Sequence, residues 1–250
     1  MKTKNIFTLA ALVSIFYGCG SVSRESFKEE STNTLEQIIY YSSLAGNSHN
    51  TQPWYVEIVN DSMLYLKADL SKKLHIVDPD SRGLYISLGA FLKNFELASE
   101  CFGYKAEIEI TAKHKNDTDA ATIHLKKIVK SKYDLDQIIN RRTLRTPFHK
   151  TEISKEHLSK LIGNNKSEII YYSSSSVEGK YIAEKTLSAY TQQAKDDQAK
   201  QELASWIRFS NSDVKKHRDG LTTSGMGITG LGGFFVRNFY KPEDSMKDSF

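Results

Sequence analysis

Hydrophobic and polar residues alternate along the chain with two periods, one typical of helices and one typical of strands. The clearest helix is an apolar stripe with spacings of three and four, formed by Leu84, Leu88, Phe91, Phe95, Ala98 and Phe102. Such a stripe predicts a helix that faces a core, and Gly103 is the residue type that ends one. Thr34–Leu44 shows the same period and predicts an earlier helix.

Period-two runs predict two pairs of strands. Trp54–Val59 and Met63–Ala68 flank Asn60-Asp61-Ser62, which is a hairpin signal. Ala106–Ala112 and Ala121–Val129 form the second pair. Further on, the pattern predicts a strand at Glu168–Tyr172 and helices at Asp134–Asn140, Ser154–Ile162 and Val177–Trp206, the last with a break near Asp196-Asp197.

The N-terminus has the pattern of an export signal. Lys2 and Lys4 precede the apolar run Ile6–Tyr17, which is too short for a membrane span of about 20 residues. Phe16-Tyr17-Gly18-Cys19 resembles a loose bacterial lipobox, in which Cys19 becomes the lipidated first residue. We therefore expect a signal peptide at 1–18, a tether at 19–33 and a bacterial lipoprotein anchored to a membrane, at the periplasmic face or the cell surface. Ordinary secretion and an uncleaved anchor are the alternatives.

Composition excludes several classes of protein. The chain has 250 residues, 39% of them hydrophobic, with 34 basic and 30 acidic residues, which argues against a disordered chain and a polytopic membrane protein. A formal charge of +4 without a clustered basic face gives no support for nucleic-acid binding. Once Cys19 is lipidated, only Cys101 remains, so no disulfide is expected, and Cys101 is assigned to packing. No pair of residues has the spacing of metal ligands, so no metal is expected.

A polar loop lies between the first helix and the first strand. Its residues run Ala45-Gly46-Asn47-Ser48-His49-Asn50-Thr51-Gln52-Pro53-Trp54. Amide and hydroxyl side chains supply neutral donors and acceptors, which suit the edge of a heteroaromatic ring such as a flavin. A structural turn is the alternative interpretation of this segment.

A second polar segment combines arginines with hydroxyls. Arg141-Arg142-Thr143-Leu144-Arg145-Thr146-Pro147-Phe148 places three arginines and two threonines within six residues. Guanidinium groups bind phosphate bidentately, so the segment could converge on one phosphate. The alternative is a solvated basic turn.

Together, these two segments resemble the nitroreductase-like flavoproteins. The similarity is strongest to the Acg-type subgroup of NAD(P)H nitroreductases, and it extends over roughly residues 34–250. Asp78-Pro79-Asp80-Ser81-Arg82 also resembles that subgroup, as does Glu202-Leu203-Ala204-x-Trp206-x-Arg208 with the later Asp219-Gly220. The resemblance implies an α+β fold, with a central, mostly antiparallel sheet flanked by helices, in a single domain at 34–250 and generally in a homodimer. Members of the family generally continue further, so we expect the domain to be incomplete after Phe250.

The resemblance also implies a cofactor site. Arg141, Arg142, Thr143 and Arg145 match the FMN-phosphate motif of the family, and Asn47, Ser48, His49, Asn50 and Gln52 match the loop that lines the flavin ring. The expected activity is hydride transfer from NAD(P)H through FMN to a nitroaromatic, a quinone or a similar small acceptor. No catalytic side chain is expected, since the flavin carries the chemistry. The alternative is a lipoprotein of the same ancestry that sequesters flavin without turnover.

A glycine-rich segment after residue 224 matches the glycine spacing of a dinucleotide-binding pattern but not its structural context. Gly225-Met226-Gly227-Ile228-Thr229-Gly230 follows a basic stretch and precedes Leu231-Gly232-Gly233. The dinucleotide fingerprint needs a strand before it and a helix after it. We expect instead a lid or a loop near the membrane, followed by an apolar patch at Gly233–Arg237 that could pack on a partner.

Overall fold

The computed structural model describes residues 33–145, 148–149, 151–165 and 167–247. The predicted signal peptide, the lipidation site Cys19, nearly all of the tether and Phe250 lie outside these residues. So do Thr146 and Pro147 of the arginine-rich segment.

The described chain separates into two compact units. The first holds the described residues up to Arg145 and those from Gln201 onward, and the second holds those from Phe148 to Lys200. No comparison tests the limits of the predicted domain 34–250, which stay a prediction.

A four-stranded antiparallel sheet forms the centre of the first unit. Its strands are β1 (Trp54–Asn60), β2 (Met63–Ala68), β3 (Tyr104–Ile110) and β4 (Asp119–Lys127), in the spatial order β1-β2-β4-β3. All three pairings are antiparallel, and Leu64 lies opposite Ile123. Because side chains alternate across a strand, Leu64 and Leu66 of β2 are fully buried while Tyr65 between them is not.

Two helices pack on the buried face of this sheet. Helix α1 (Thr34–Ser43) is capped by the side chain of Asn33, and helix α2 (Arg82–Cys101) carries the long apolar stripe. Phe91 and Phe95 of α2 are fully buried in the same core as Ile38 of α1. Gly103, with φ of +85°, follows the end of α2 as predicted. The α+β prediction is therefore confirmed, with an antiparallel sheet flanked by helices.

Shorter elements complete the first unit. A two-stranded parallel ribbon joins β5 (Ile207–Arg208) to β6 (Leu221–Thr222). In chain order, the helices after α2 are α3 (Asp136–Asn140), α4 (Lys155–Ile162), α5 (Val177–Ala194), α6 (Asp197–Ser205), α7 (Asn211–His217) and α8 (Gly230–Phe239), of which α4 and α5 belong to the second unit. Among the described residues, no helix combines the length and apolarity needed to cross a bilayer.

One local prediction is wrong. The strand predicted at Glu168–Tyr172 does not form. Its apolar residues run consecutively instead of alternating, Ile170 is 74% exposed, and the hydroxyl of Tyr171 donates to Glu152. The glycine-rich segment from Gly225 to Thr229 is a turn and irregular chain, and helix α8, which was not predicted, begins at Gly230. Its residues Leu231, Phe235 and Phe239 recur every fourth position on an exposed stripe.

The second unit is held together by polar contacts more than by a core. The carboxylate of Glu152 accepts hydrogen bonds from the hydroxyls of Tyr171, at 2.8 Å, and Ser173, at 2.7 Å. These bonds stabilise the ionised carboxylate and lower the pKa of Glu152. Leu187 and Tyr190 of α5 are exposed.

Candidate functional site

The segment Asn47–Gln52, here called the polar loop, has an unusual backbone. His49, Asn50 and Gln52 have φ values of 47°, 54° and 54°, in the left-handed region that residues other than glycine seldom adopt. Backbone strain of this kind persists only where surrounding contacts impose it, and it is frequent at binding sites. Thr51, at the centre of the loop, is 2% exposed.

Asn47 and Ser48 fix the first half of the polar loop. The side-chain oxygen of Asn47 accepts from the Gln52 amide at 2.8 Å, and its side-chain nitrogen donates to the Ala45 carbonyl at 3.1 Å. The Ser48 amide donates to the hydroxyl of Ser87 on α2 at 3.4 Å. The loop is thus closed by Asn47 and tied to α2 through Ser48.

Asn50 and Gln52 fix the second half against a distant segment. The Asn50 side chain donates to the Gly220 carbonyl at 3.0 Å, and the Gly220 amide donates to the Asn50 carbonyl at 2.9 Å. The Gln52 side chain donates to the carbonyl of Arg218. Each of these amide groups therefore has a donor engaged in holding the loop.

The start of helix α2 borders the polar loop and is already capped. The carboxylate of Asp78 accepts from the amides of Gly83, at 3.0 Å, and Leu84, at 2.9 Å. A β-carbon at position 83 would lie 3.0 Å from the Ser48 hydroxyl, so glycine allows the loop to approach the helix. Asp78, in the segment Asp78–Arg82 that resembles the family, thus supplies the cap of α2, and the apolar stripe of α2 follows from Leu84.

Arg141 lies beside the residues that lead into the polar loop. It follows α3, and its guanidinium donates to the Leu44 carbonyl at 3.3 Å and to the Thr143 hydroxyl at 3.4 Å. A β-carbon on Gly46 would lie 3.5 Å from a guanidinium nitrogen. The Nε of Arg141 is buried and has no hydrogen-bond partner among the described residues. Burial, together with the charge of Arg142, lowers the pKa of Arg141.

The other two arginines of the segment diverge. Arg145 donates from Nε to the Gly225 carbonyl at 2.8 Å, and its positive charge lowers the pKa of His49. Arg142 turns back and donates to the carbonyls of Ile139 and Arg141. The structure therefore places Arg141 beside Gly46, next to the polar loop, and Arg145 near enough for its charge to act on His49. Thr143 is exposed and contacts Arg141, and the Arg142 guanidinium lies against the end of α3.

His49 lies between opposite charges. Burial is the largest influence and lowers the pKa of its imidazole, Glu202 raises it, and Arg145 lowers it further. The Nδ1 atom is buried and finds no hydrogen-bond partner in the described part of the chain. A neutral imidazole retains one donor and one acceptor, so His49 can bond a ligand at the loop.

Sequence reasoning assigned no role to a neighbouring group of charged residues. The carboxylate of Asp219, which is 8% exposed, pairs with Lys72 at 2.8 Å and Arg208 at 2.9 Å. Both cations also lie over the ring of Trp206. We call Lys72, Trp206, Arg208 and Asp219 the Asp219 cluster. The only signal in the sequence was that Trp206, Arg208 and Asp219-Gly220 belonged to the family resemblance.

Three structural features decide the chemistry that the site can support. They are the half-buried guanidinium of Arg141, whose buried Nε lacks a partner among the described residues, a second arginine at Arg145, and a loop with strained backbone. In the described ranges, no group of His, Cys, Asp or Glu has the arrangement of a metal site. The donors suit an anionic group at Arg141 and a polar planar group at His49.

Comparisons with known proteins point to one enzyme class. Two curated proteins, from two strains of Mycobacterium tuberculosis and both named "Putative NAD(P)H nitroreductase", are 29% identical to the chain over 103 residues. The chain is similar to nitroreductases. The matched segment covers 41% of this chain but only 29% of each relative. No family model matches the chain.

One solved structure is also similar in part. It is the crystal structure of a "Putative NADH dehydrogenase/NAD(P)H nitroreductase" from Parabacteroides distasonis. The match has 15% identity and a TM-score of 0.30, and it covers 48% of this chain and 86% of that one. This TM-score is too low to compare the two folds.

Proposed function

We propose that the chain belongs to an FMN-dependent oxidoreductase of the nitroreductase type. One observation carries the proposal, namely the buried Nε of Arg141 without a partner beside Gly46, where the arginine segment meets the polar loop. The similarity to proteins named as NAD(P)H nitroreductases supports the same enzyme class.

Arg141, Thr143 and Arg145 are the residues that would hold the phosphate of FMN. Arg141 has only two long hydrogen bonds, of 3.3 and 3.4 Å, and a free Nε donor. Two guanidinium groups offer charge-assisted bonds, which are stronger than bonds between neutral groups. The absence of a side chain at Gly46 leaves open the space next to the Arg141 guanidinium.

The polar loop would meet the ring of the flavin through His49 and Ser48. Asn47, Asn50 and Gln52 each have a side-chain donor bonded to a carbonyl of this chain, so their part is to hold the loop in its conformation. Because the lowered pKa keeps His49 neutral near pH 7, its imidazole can bond the ring without adding a charge.

FMN, when bound, would supply the redox chemistry, accepting a hydride from NAD(P)H and delivering it to a nitroaromatic, a quinone or a similar acceptor. The part of this chain is to bind and orient the cofactor, and no side chain of the site needs to act as an acid or a nucleophile.

The proposal is tested by purifying the protein with its cofactor. We expect a yellow protein that releases FMN on denaturation and bleaches when NADPH or NADH is added without oxygen. A yellow protein that dithionite reduces but neither nicotinamide does would support flavin sequestration instead. A colourless protein that takes up no added FMN would overturn both functions.

The phosphate assignment predicts a rank order among the arginines. Arg141→Ala should weaken FMN binding about 100-fold, because a charge-assisted bond to a phosphate is worth roughly 1.5–3 kcal/mol and Arg141 offers more than one donor. Arg142→Ala should weaken it much less, since the Arg142 guanidinium bonds the carbonyls of Ile139 and Arg141. Fluorescence titration with FMN measures both.

Lys126→Ala is the control for lost positive charge, because Lys126 pairs with Glu107 on the sheet, at 2.8 Å. It should bind FMN as the wild type does. Equal losses for Arg141→Ala and Arg142→Ala would contradict the geometric assignment.

We also propose that the protein is exported and held at the membrane by a lipid on Cys19. The support is the sequence alone, namely the basic start, the short apolar run and the lipobox-like Phe16–Cys19. The homodimer implied by the family resemblance stays a prediction.

A further inference from the structure

The Asp219 cluster is a group of charged side chains, largely buried, next to the polar loop. The relative exposure of the side chain is 8% for Asp219, 11% for Arg208 and 33% for Lys72. One carboxylate oxygen of Asp219 accepts from Lys72, and the other accepts from Arg208 Nη2 and Nε at 2.9 and 3.1 Å. Both oxygens therefore have partners within the protein, and the cluster is not itself a ligand site.

The two cations come from different parts of the chain. Lys72 ends the short helical turn Leu70–Lys72 that follows β2, and the amide of Asp69 before this turn donates to the Pro53 carbonyl at 3.0 Å. Arg208 lies on β5, next to the segment that carries Asp219. Asp219 thus joins the turn after β2, which is itself bonded to Pro53 directly after the polar loop, to the ribbon β5–β6.

The residues on either side of Asp219 hold the polar loop directly. Arg218 and Gly220 supply the carbonyls that accept from Gln52 and Asn50, and the Gly220 amide donates to Asn50. Gly220 has φ of +79°, and a β-carbon there would collide with the carbonyl oxygen of Trp206. The turn is therefore set close against β5, with its carbonyls directed at the loop.

We infer that Asp219 is a positioning residue for the polar loop, an inference that rests on the proposed function. By pairing with Lys72 and Arg208, its carboxylate fixes the turn Arg218–Gly220, and that turn imposes the left-handed backbone of Asn50 and Gln52. Asp219 acts on the cofactor only through this loop.

The test is Asp219→Asn, which keeps the size of the side chain and removes its charge. Hydrogen exchange followed by mass spectrometry or NMR should show at least tenfold faster exchange at the amides of Thr51, Gln52 and Gly220. Amides of β2 and β4 should exchange at the wild-type rate. The dissociation constant for FMN should rise about tenfold in the same variant, which a loss of global stability alone would not produce.

The matched control is Glu107→Gln, which breaks an exposed ion pair of 2.8 Å with Lys126 on the sheet. It should change neither loop exchange nor FMN affinity. If Asp219→Asn does not fold, Lys72→Met removes one partner of Asp219 at a more exposed position, with Lys126→Met as its control. Asp219→Glu, which keeps the charge, should recover part of the FMN affinity.

The results separate this inference from the proposed function. Wild-type protein that binds no FMN would overturn the function before any variant is made. Unchanged loop exchange in Asp219→Asn and Lys72→Met would overturn the inference alone, whatever the wild type binds. Exchange that rises equally in the loop and in the sheet would also overturn it, because Asp219 would then support the whole unit and not the loop.

Discussion

At the scale of single residues, the candidate site concentrates features that cost free energy. Three residues other than glycine within four positions have positive φ, and the buried Nε of Arg141 and Nδ1 of His49 find no partner in the described part of the protein. A buried polar atom without a hydrogen bond costs roughly 1–3 kcal/mol. A bound ligand that bonds these atoms would recover that cost, so we expect binding and stability to be coupled here.

His49 predicts a pH dependence of stability. Burial lowers its pKa in the folded protein below the ordinary value of 6.5, so the unfolded chain binds the proton more readily. The contribution of His49 is complete above pH 6.5 and is lost as the pH falls through the folded pKa. Between pH 7.5 and 5.5, His49→Asn should lose less free energy of unfolding than the wild type, measured by urea titration. Asparagine tolerates the positive φ at this position.

His124→Asn, on an exposed position of β4, is the control for the loss of one imidazole. It should keep the wild-type pH dependence. If the free energy of unfolding of His49→Asn falls with pH as steeply as that of the wild type, burial does not disfavour the charged form of His49.

From the sequence, candidate site residues could be proposed where their chemistry is local, and residues whose chemistry depends on distant partners were missed. Arg141 and Arg145 stand close together, and their shared segment indicated a phosphate site before the structure placed both near the polar loop. Lys72 is 147 positions from Asp219, and nothing in the residues beside Lys72, Arg208 or Asp219 shows that they pair. Nor could the sequence show that the donors of Asn50 and Gln52 bond the turn Arg218–Gly220.

At the scale of elements, helix α2 organises the first unit. Its stripe supplies Leu88, Phe91 and Phe95 to the core, while its first turn receives the cap from Asp78 and its Ser87 bonds the polar loop. The same helix therefore serves both the core and the site. Damage to its packing should reach the site through this connection.

Phe95→Ala should destabilise the first unit by about 3–5 kcal/mol, because Phe95 is fully buried and its removal leaves a cavity. Ile86→Ala on the same helix is the matched control, since Ile86 is 56% exposed and should change stability by about 0.5 kcal/mol or less. Urea unfolding followed by circular dichroism measures both. Equal losses would contradict the placement of the α2 stripe.

Elements with strong periodicity were predicted well, as were helices α3 and α4 and the break between α5 and α6, but the strand at Glu168–Tyr172 and helix α8 were not. The hairpin β1–β2 and helix α2 match their predictions within about two residues, because alternation and the three-four stripe persist over many positions. Ile169-Ile170-Tyr171-Tyr172 has β-branched and aromatic residues but no alternation and no partner strand. Helix α8 contains Gly230, Gly232 and Gly233 in its first turn, which lowers its helix propensity and hid the spacing of Leu231, Phe235 and Phe239.

At the scale of the whole molecule, the segment that matches the curated relatives spans 29% of their length. The complete activity, with its donor and acceptor, is therefore proposed for the protein as a whole. What the described residues supply is the candidate site within one compact unit.

The proposed lipid anchor predicts where the protein is found in a bacterial cell. Wild-type protein should sediment with membranes, because a diacylated N-terminus adds apolar surface that inserts into the bilayer. Cys19→Ser should move it to the soluble fraction or leave the precursor uncleaved, as fractionation and mass spectrometry of the N-terminus would show. Cys101→Ser is the control and should stay with the membranes. Membrane association of Cys19→Ser with a cleaved leader would refute the anchor.

The contact between Asn50 and Gly220 joins residues 170 positions apart. Closing a long loop costs conformational entropy, and contacts between near neighbours such as those of the β1–β2 hairpin form before it. During synthesis or passage through a translocation pore, the sheet can assemble while the polar loop still lacks the turn that shapes it. The proposed ability to hold FMN would then arise only after the turn around Gly220 has docked on the polar loop, so the time at which FMN binding appears would report that docking and not the assembly of the sheet.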